Sequence, residues 1–174
     1  FALAGRKTVI VGADMRKGRL HKIYDVPQKP GLSEFLANKA SLENILYTTE
    51  NSDLFIIPAG TIPPNPSELL DSDRLDVLIS ELKEQFNIII IDAPPAISVT
   101  DANIIMPKCD LNAFVVRIRK TRKNVFSDLI SRINQKHTPQ PVIIINDVPL
   151  QNTYYGYGYG YGYGCGCNTG VTVA

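Results

Sequence analysis

Two aspartates stand where an apolar run meets polar sequence: Asp14, just after Val9-Ile-Val-Gly-Ala13, and Asp92, after the four isoleucines Ile88–Ile91. A carboxylate at the carboxyl edge of a parallel strand faces the crevice where such sheets bind ligands. There it can hold Mg²⁺, or its waters, against the phosphates of a nucleotide. An aspartate that merely ends a strand in a turn has the same local sequence. The pairing of two such residues, and the stiff exit Asp92-Ala-Pro-Pro95, favour the ligand-facing reading. At the far end, glycines alternate with Tyr154, Tyr155, Tyr157, Tyr159, Tyr161 and Tyr163, and no side chain after Asp147 is formally charged. Phosphorylation would add roughly −1.5 to −2 of charge per tyrosine to a segment that has none. The tail reads as a phosphoacceptor.

No Gly-x-x-x-x-Gly-Lys-Ser/Thr phosphate loop occurs in the 174 residues. Gly5-Arg-Lys-Thr8 imitates its end, but that motif needs a strand before it and a helix after it. Here Phe1–Ala4 reads as the last turn of a helix, Gly5 as its left-handed stop, and Lys7–Gly12 as a strand. Arg16, Lys17 and Arg19 follow Asp14, and Arg117-Ile-Arg119-Lys120-Thr-Arg122-Lys123 closes a later strand. The later run can attract phosphate, an acidic partner or a phosphorylated tail, or serve as a solvated helix start, whereas Arg16, Lys17 and Arg19 can touch phosphate or a neighbouring subunit. His21 and His137 read as surface residues without chemistry.

Bulk composition excludes several classes. A net charge of +1 gives nucleic-acid binding no support. No stretch approaches the ~20 apolar residues of a membrane span, and Phe1–Gly5 is too short for a signal peptide. The three cysteines, Cys109, Cys165 and Cys167, are an odd number without framework spacing. That pattern favours a reducing, cytosolic compartment. Cys165-Gly-Cys167 has no second ligand pair nearby, which favours two free thiols over a metal site.

The elements that must position these residues are legible in the hydrophobic pattern. Lys7–Gly12, Asp53–Pro58, Asn87–Asp92, Leu111–Val116 and Pro141–Asn146 are β-branched runs that suit parallel strands covered on both faces. Between them, Pro66–Phe86 repeats Leu75, Leu78, Ile79, Leu82 and Phe86 at helical spacing. Asn65 is its expected cap, Pro66 its first helical residue, Glu68 the partner in a capping box, and Ser72 a point of restart. A second helix spans about Thr121–His137 with Phe126, Leu129, Ile130 and Ile133 on one face. Shorter helical pieces fit Leu32–Asn38, Leu42–Leu46 and Ala102–Pro107. Alternating strands and helices predict an α/β, doubly wound, mainly parallel sheet flanked by helices. From Val148 onward no apolar period can bury a core, so residues 1–147 form the domain and 148–174 a flexible tyrosine-glycine tail.

Taken in order, several motifs resemble the bacterial protein-tyrosine kinases of capsule and exopolysaccharide export. They are Val9-Ile-Val-Gly-Ala-Asp14-Met-Arg16, Gly31-Leu-Ser33, Gly60-Thr-Ile-Pro-Pro-Asn-Pro-Ser-Glu-Leu-Leu70, Ile88-Ile-Ile-Ile-Asp92-Ala-Pro-Pro95, Thr100-Asp101-Ala102 and the tyrosine-rich end. The resemblance implies a P-loop NTPase-like fold whose first strand and Walker A loop lie before Phe1. It also implies ATP and Mg²⁺ as cofactors. Asp14 matches the second aspartate of the Walker A′ motif and Asp92 the Walker B aspartate, so both carry the catalytic and metal roles. Arg16 and Asp92 are the nucleotide-binding residues. The first Walker A′ aspartate is Gly12 here, leaving the general base without its family residue and Asp14 as the nearest substitute.

The implied activity is autophosphorylation of the tail in a ring-like homo-oligomer at the inner face of the plasma membrane. A linker of about ten residues spans roughly 16–19 Å, enough to approach a neighbour's site. The implied partners are a membrane-anchored co-polymerase or activator segment and a tyrosine phosphatase, with no nucleic acid. Without its Walker A loop this chain alone is expected to be inactive. A non-catalytic interaction module of the export machinery and a partitioning-type ATPase are the competing readings, and the tyrosine ladder argues against the latter.

Overall fold

The computed structural model describes residues 1–96, 100–136, 139 and 141–148. The six tail tyrosines, Cys165, Cys167 and His137 lie outside the described residues. Five strands stand where β-branched runs predict them: β1 (Thr8–Gly12), β3 (Leu54–Ile57), β4 (Ile88–Asp92), β5 (Asn112–Arg117) and β6 (Pro141–Asn146). A sixth, β2 (Tyr47–Thr48), pairs antiparallel with β3, placing Tyr47 opposite Ile56. Two residues are too few to show a period, which is why the sequence does not reveal it.

The sheet is mainly parallel, but it comes in two pieces. One has the order β2-β3-β1-β4 and the other is β5-β6. The expectation of strands covered on both faces holds for β1, where Thr8, Val9, Val11 and Gly12 are buried. It fails for β4, which is half-buried throughout, and for β6, which is exposed along its length. The reason is topological. Among the described residues β4 pairs only with β1 and β5 only with β6, and a cleft of about 510 Å³ separates the two pieces. Phe1, Ile88, Ile90, Cys109, Ala113 and Ile144 are among its lining residues.

Helices pack over the larger sheet. The long amphipathic stretch divides into α4 (Pro66–Leu70) and α5 (Asp73–Gln85), with Ser72 as the N-cap of the second. Leu75, Leu78, Ile79, Leu82 and Phe86 are all buried, in one cluster with Val9, Val11 and Ile57 of the strands. Burying each such side chain contributes about 1.5–3 kcal/mol, so the stripe is the main anchor of α5. The expected capping box at Asn65 does not form. Asn65 Nδ2 instead donates to Glu68 Oε2 at 2.7 Å, a side-chain pair that leaves the backbone N–H groups uncapped by Asn65.

Short helices α1 (Leu20–Ile23), α2 (Leu32–Leu36), α3 (Leu42–Ile45) and α6 (Asp101–Ile105) fill the connections, and α7 (Lys123–Lys136) packs Leu129 against Phe114 of β5. Four residues of α1 carry no readable period, so its existence is a structural finding. On α7, Leu129 is buried with Phe114 and Met106, whereas Phe126 is exposed, against its assignment to the apolar face. Phe126 lies one turn from the helix start and misses the small β5 cluster. At the start of the chain, Ala2–Ala4 is a single 3-10 turn and Gly5 sits at φ 71°, the left-handed stop expected of it. Among the described residues, no helix is long and apolar enough to cross a membrane.

Candidate active site

Parallel pairing of β1 with β4 sets the register Val11 to Ile91 and Gly12 to Asp92. The next two backbone N–H groups of the β1 exit, Ala13 and Asp14, both donate to the Asp92 carbonyl, at 2.8 and 3.0 Å. Asp14 and Asp92 therefore share one rim, at the carboxyl ends of adjacent strands. Placement on opposite rims, which would have separated them from any common ligand, does not occur.

The Asp14 carboxylate is fixed by its own loop. Its Oδ1 accepts the backbone N–H of Arg16 at 3.1 Å and of Lys17 at 2.9 Å, an aspartate turn that orients the side chain. The loop closes because residue 18 is glycine. A Cβ there would sit 2.5 Å from the Asp14 carbonyl oxygen, against backbone that cannot rotate away. Asp92 is the chemically unusual member of the pair. Burial, and then the nearby charge of Asp14, push its carboxyl up to about 6.

Arg16 does not simply extend into solvent. Its Nε donates to Asp101 Oδ2 at 3.0 Å and its Nη2 to Oδ1 at 3.4 Å. Asp101, the first residue of α6, is only 1% exposed, and Ser67 of α4 donates its hydroxyl to Oδ1 at 2.5 Å. Burial would raise the Asp101 carboxyl. The hydrogen bonds from Arg16 and Ser67, with the Arg16 charge, outweigh it and hold the group below its ordinary range.

A second anchored carboxylate shapes the loop after β3. Glu34 Oε2 accepts the Gly31 N–H at 2.8 Å and its Oε1 the Thr61 N–H at 3.1 Å, so α2 is tied to the loop that leads into α4. Burial pushes the Glu34 carboxyl up, but hydrogen bonds from Thr61, Gly31 and Ser33 prevail and hold it low.

Gly12 lies at the end of β1, where a Cβ would meet Ala59 N at 3.1 Å and Ile57 O and Leu20 Cδ1 at 3.3 Å. A larger residue is crowded by backbone there. Arg117 ends β5, and its Nε and Nη2 donate to Asp147 Oδ2 at 2.9 and 2.6 Å, so the first of the basic run is already ion-paired. Among the described residues no group of three or more metal-ligating side chains clusters. The tyrosines expected to be phosphoacceptors fall outside the described residues. The link from Arg16 to Asp101 and Ser67 was not legible locally, since the residues lie 85 and 34 positions apart. The one signal was that all three belong to motifs already singled out.

No family model matches the chain. It is 37% identical over 155 residues to the tyrosine-protein kinase ptk of Acinetobacter johnsonii, a match covering 89% of this chain and 21% of that relative. It is 32% identical over 157 residues to the tyrosine-protein kinase CpsD of Streptococcus pneumoniae serotype 4, covering 90% of this chain and 69% of that relative. Among solved structures, the kinase domain of the Escherichia coli tyrosine kinase ETK superposes with a TM-score of 0.81 at 30% identity, covering 92% of this chain and 63% of that one. The chain thus spans about a fifth of the first relative and about two thirds of the second.

Proposed function

The chain belongs to the bacterial tyrosine-protein kinases, and we propose that residues 1–147 are the metal-holding part of an autokinase domain whose acceptors are the tyrosines of residues 148–174. The observation that carries this reading is the β1–β4 register, which sets Asp14 and Asp92 on one rim. Two carboxylates suit Mg²⁺, which takes one or two from protein and completes its octahedron with water and phosphate oxygens. The raised Asp92 carboxyl fits the same ion, because a divalent charge would favour its ionised form. When bound, Mg²⁺ and ATP supply the transferable phosphoryl group with its charge neutralised.

The chain's own residues divide the remaining work. The Arg16 and Lys17 N–H groups hold Asp14 in place, Asp14 and Asp92 would hold the ion, and Arg16 would add positive charge beside the phosphates. With Gly12 at the position of the family's first Walker A′ aspartate, Asp14 is the nearest group to accept a proton from an incoming phenol. The backbone N–H cradle for phosphate is absent from the described residues. A strand carrying such a cradle would fit the cleft between β4 and β5. Residues 1–174 alone should bind ATP weakly and transfer no phosphate. In the whole protein, tail phosphorylation would add negative charge, repel adjacent tails and loosen a ring-like homo-oligomer. A membrane-anchored activator and a tyrosine phosphatase complete the cycle that controls capsular or exopolysaccharide export.

The test uses protein expressed from its gene's initiating methionine, incubated with ATP and Mg²⁺, with phosphate mapped by mass spectrometry. Phosphate on the tail tyrosines, abolished by changing all six to phenylalanine, is the expected result. Failure of every tail tyrosine to gain phosphate rejects the reading. Gly12 favours a second reading, a non-catalytic module docked in the export machinery. Asp92→Asn protein that supports phosphorylation and export unchanged would select it.

A further inference from the structure

Residues from three separate sequence motifs meet at one buried carboxylate. Arg16 comes from the loop after β1, Ser67 from α4 and Asp101 from α6, and the first two converge on the carboxylate of the third. Five N–H groups fork from a guanidinium. Here Nε and one Nη2 proton are engaged by Asp101, and no other acceptor contacts Arg16 among the described residues. The Arg16 side chain is 43% exposed although its partner is buried. One edge of the fork is pinned inward, leaving the opposite N–H groups available. Because the Arg16 backbone also donates to Asp14, the pinned side chain and the metal-binding carboxylate share one loop.

We infer that Asp101, seconded by Ser67, is a positioning residue that holds the Arg16 guanidinium at the rim beside Asp14 so that its outward N–H groups receive a phosphate oxygen of the nucleotide. This deepens the function proposed above and rests on it for the identity of the ligand. The alternative is a purely structural tie between α4, α6 and the loop. The two differ in one respect: a positioning residue acts only through Arg16. An arginine fork already fixed by a carboxylate loses less freedom on meeting an oxyanion, and its planar geometry cannot be reproduced by lysine.

The experiment is a double-mutant cycle read by Mg-ADP binding, in protein expressed from its initiating methionine, with Arg16→Ala, Asp101→Asn, the double variant, Ser67→Ala and Arg16→Lys. Loss of a charged hydrogen bond to phosphate weakens binding about tenfold, the change expected for Arg16→Ala. Asp101→Asn should weaken it several-fold by itself and not at all once Arg16 is alanine. If Asp101→Asn does not fold, Ser67→Ala replaces it, with a smaller loss that also vanishes in the Arg16→Ala background. Equal losses in both backgrounds, or folded Asp101→Asn protein with unaltered affinity, overturn the inference.

A second readout separates this idea from the function it rests on. In ¹⁵N-arginine spectra the Arg16 Nε–H should be protected in the native protein and exposed in Asp101→Asn. It should shift on addition of inorganic pyrophosphate only when Asp101 is intact. If Mg-ADP does not bind but that pyrophosphate response is present, the nucleotide reading falls and the positioning role stands. An Arg16 signal indifferent to both anions removes the positioning role.

Discussion

Replacing Asp92 by asparagine should stabilise the metal-free protein at pH 8. The Asp92 carboxyl, ordinarily near 3.8, is pushed up to about 6 in the fold by burial and by the charge of Asp14. Below the ordinary value both folded and unfolded chains carry the proton, and ionisation costs the fold nothing. As pH rises from there, the unfolded chain releases its proton first, so stability falls. The loss is complete above about 6 and constant thereafter. The interval corresponds to about 3 kcal/mol, which the solvent reaching this half-buried strand end screens to about 1–2 kcal/mol. Asparagine keeps the shape and never ionises. Urea denaturation in chelator, from pH 4 to pH 8, should show the two proteins coinciding at the acid end. Asp92→Asn should then lead by about 1–2 kcal/mol at the alkaline end. Mg²⁺ should close the gap by stabilising only the native protein. Asp14→Asn, which removes the second cause of the raised value, should narrow it as well. A difference that does not vary with pH, or an Asp92→Asn protein less stable at pH 8, would refute the reasoning.

Two further outcomes test the scaffold under the site. Gly18→Ala places a methyl group against the Asp14 carbonyl at 2.5 Å, and the forced shift should cost about 1–3 kcal/mol. Thermal denaturation and Mg²⁺ titration should both register it, because the same loop carries Asp14 and Arg16; an unchanged melting temperature contradicts the steric reading. Leu82→Ala empties a fully buried position on the α5 stripe and should cost about 2–5 kcal/mol in urea unfolding. A loss under about 1 kcal/mol would mean that α5 is not the anchor described above.

The sequence by itself determined the elements whose cause is local. Ile88–Ile91 form a strand because β-branched residues suit extended backbone, and Leu75, Leu78, Ile79 and Leu82 form one buried stripe because their spacing matches the helical turn. Gly5 stops a turn because it alone enters the left-handed region without a Cβ penalty. The candidate aspartates were legible for the same reason, as polar residues ending apolar runs. Where several local choices compete, the same reasoning faltered: Asn65 prefers Glu68 to the backbone it was expected to cap. Tertiary structure decided which strands are neighbours, and so it decided that Asp14 and Asp92 share a rim. It alone brought Arg16 to Asp101 across 85 residues and divided the sheet at the β4 and β5 edges. The physical reason is that backbone conformation responds to adjacent side chains, whereas pairing, desolvation and ion contacts depend on residues the chain brings together only after it folds.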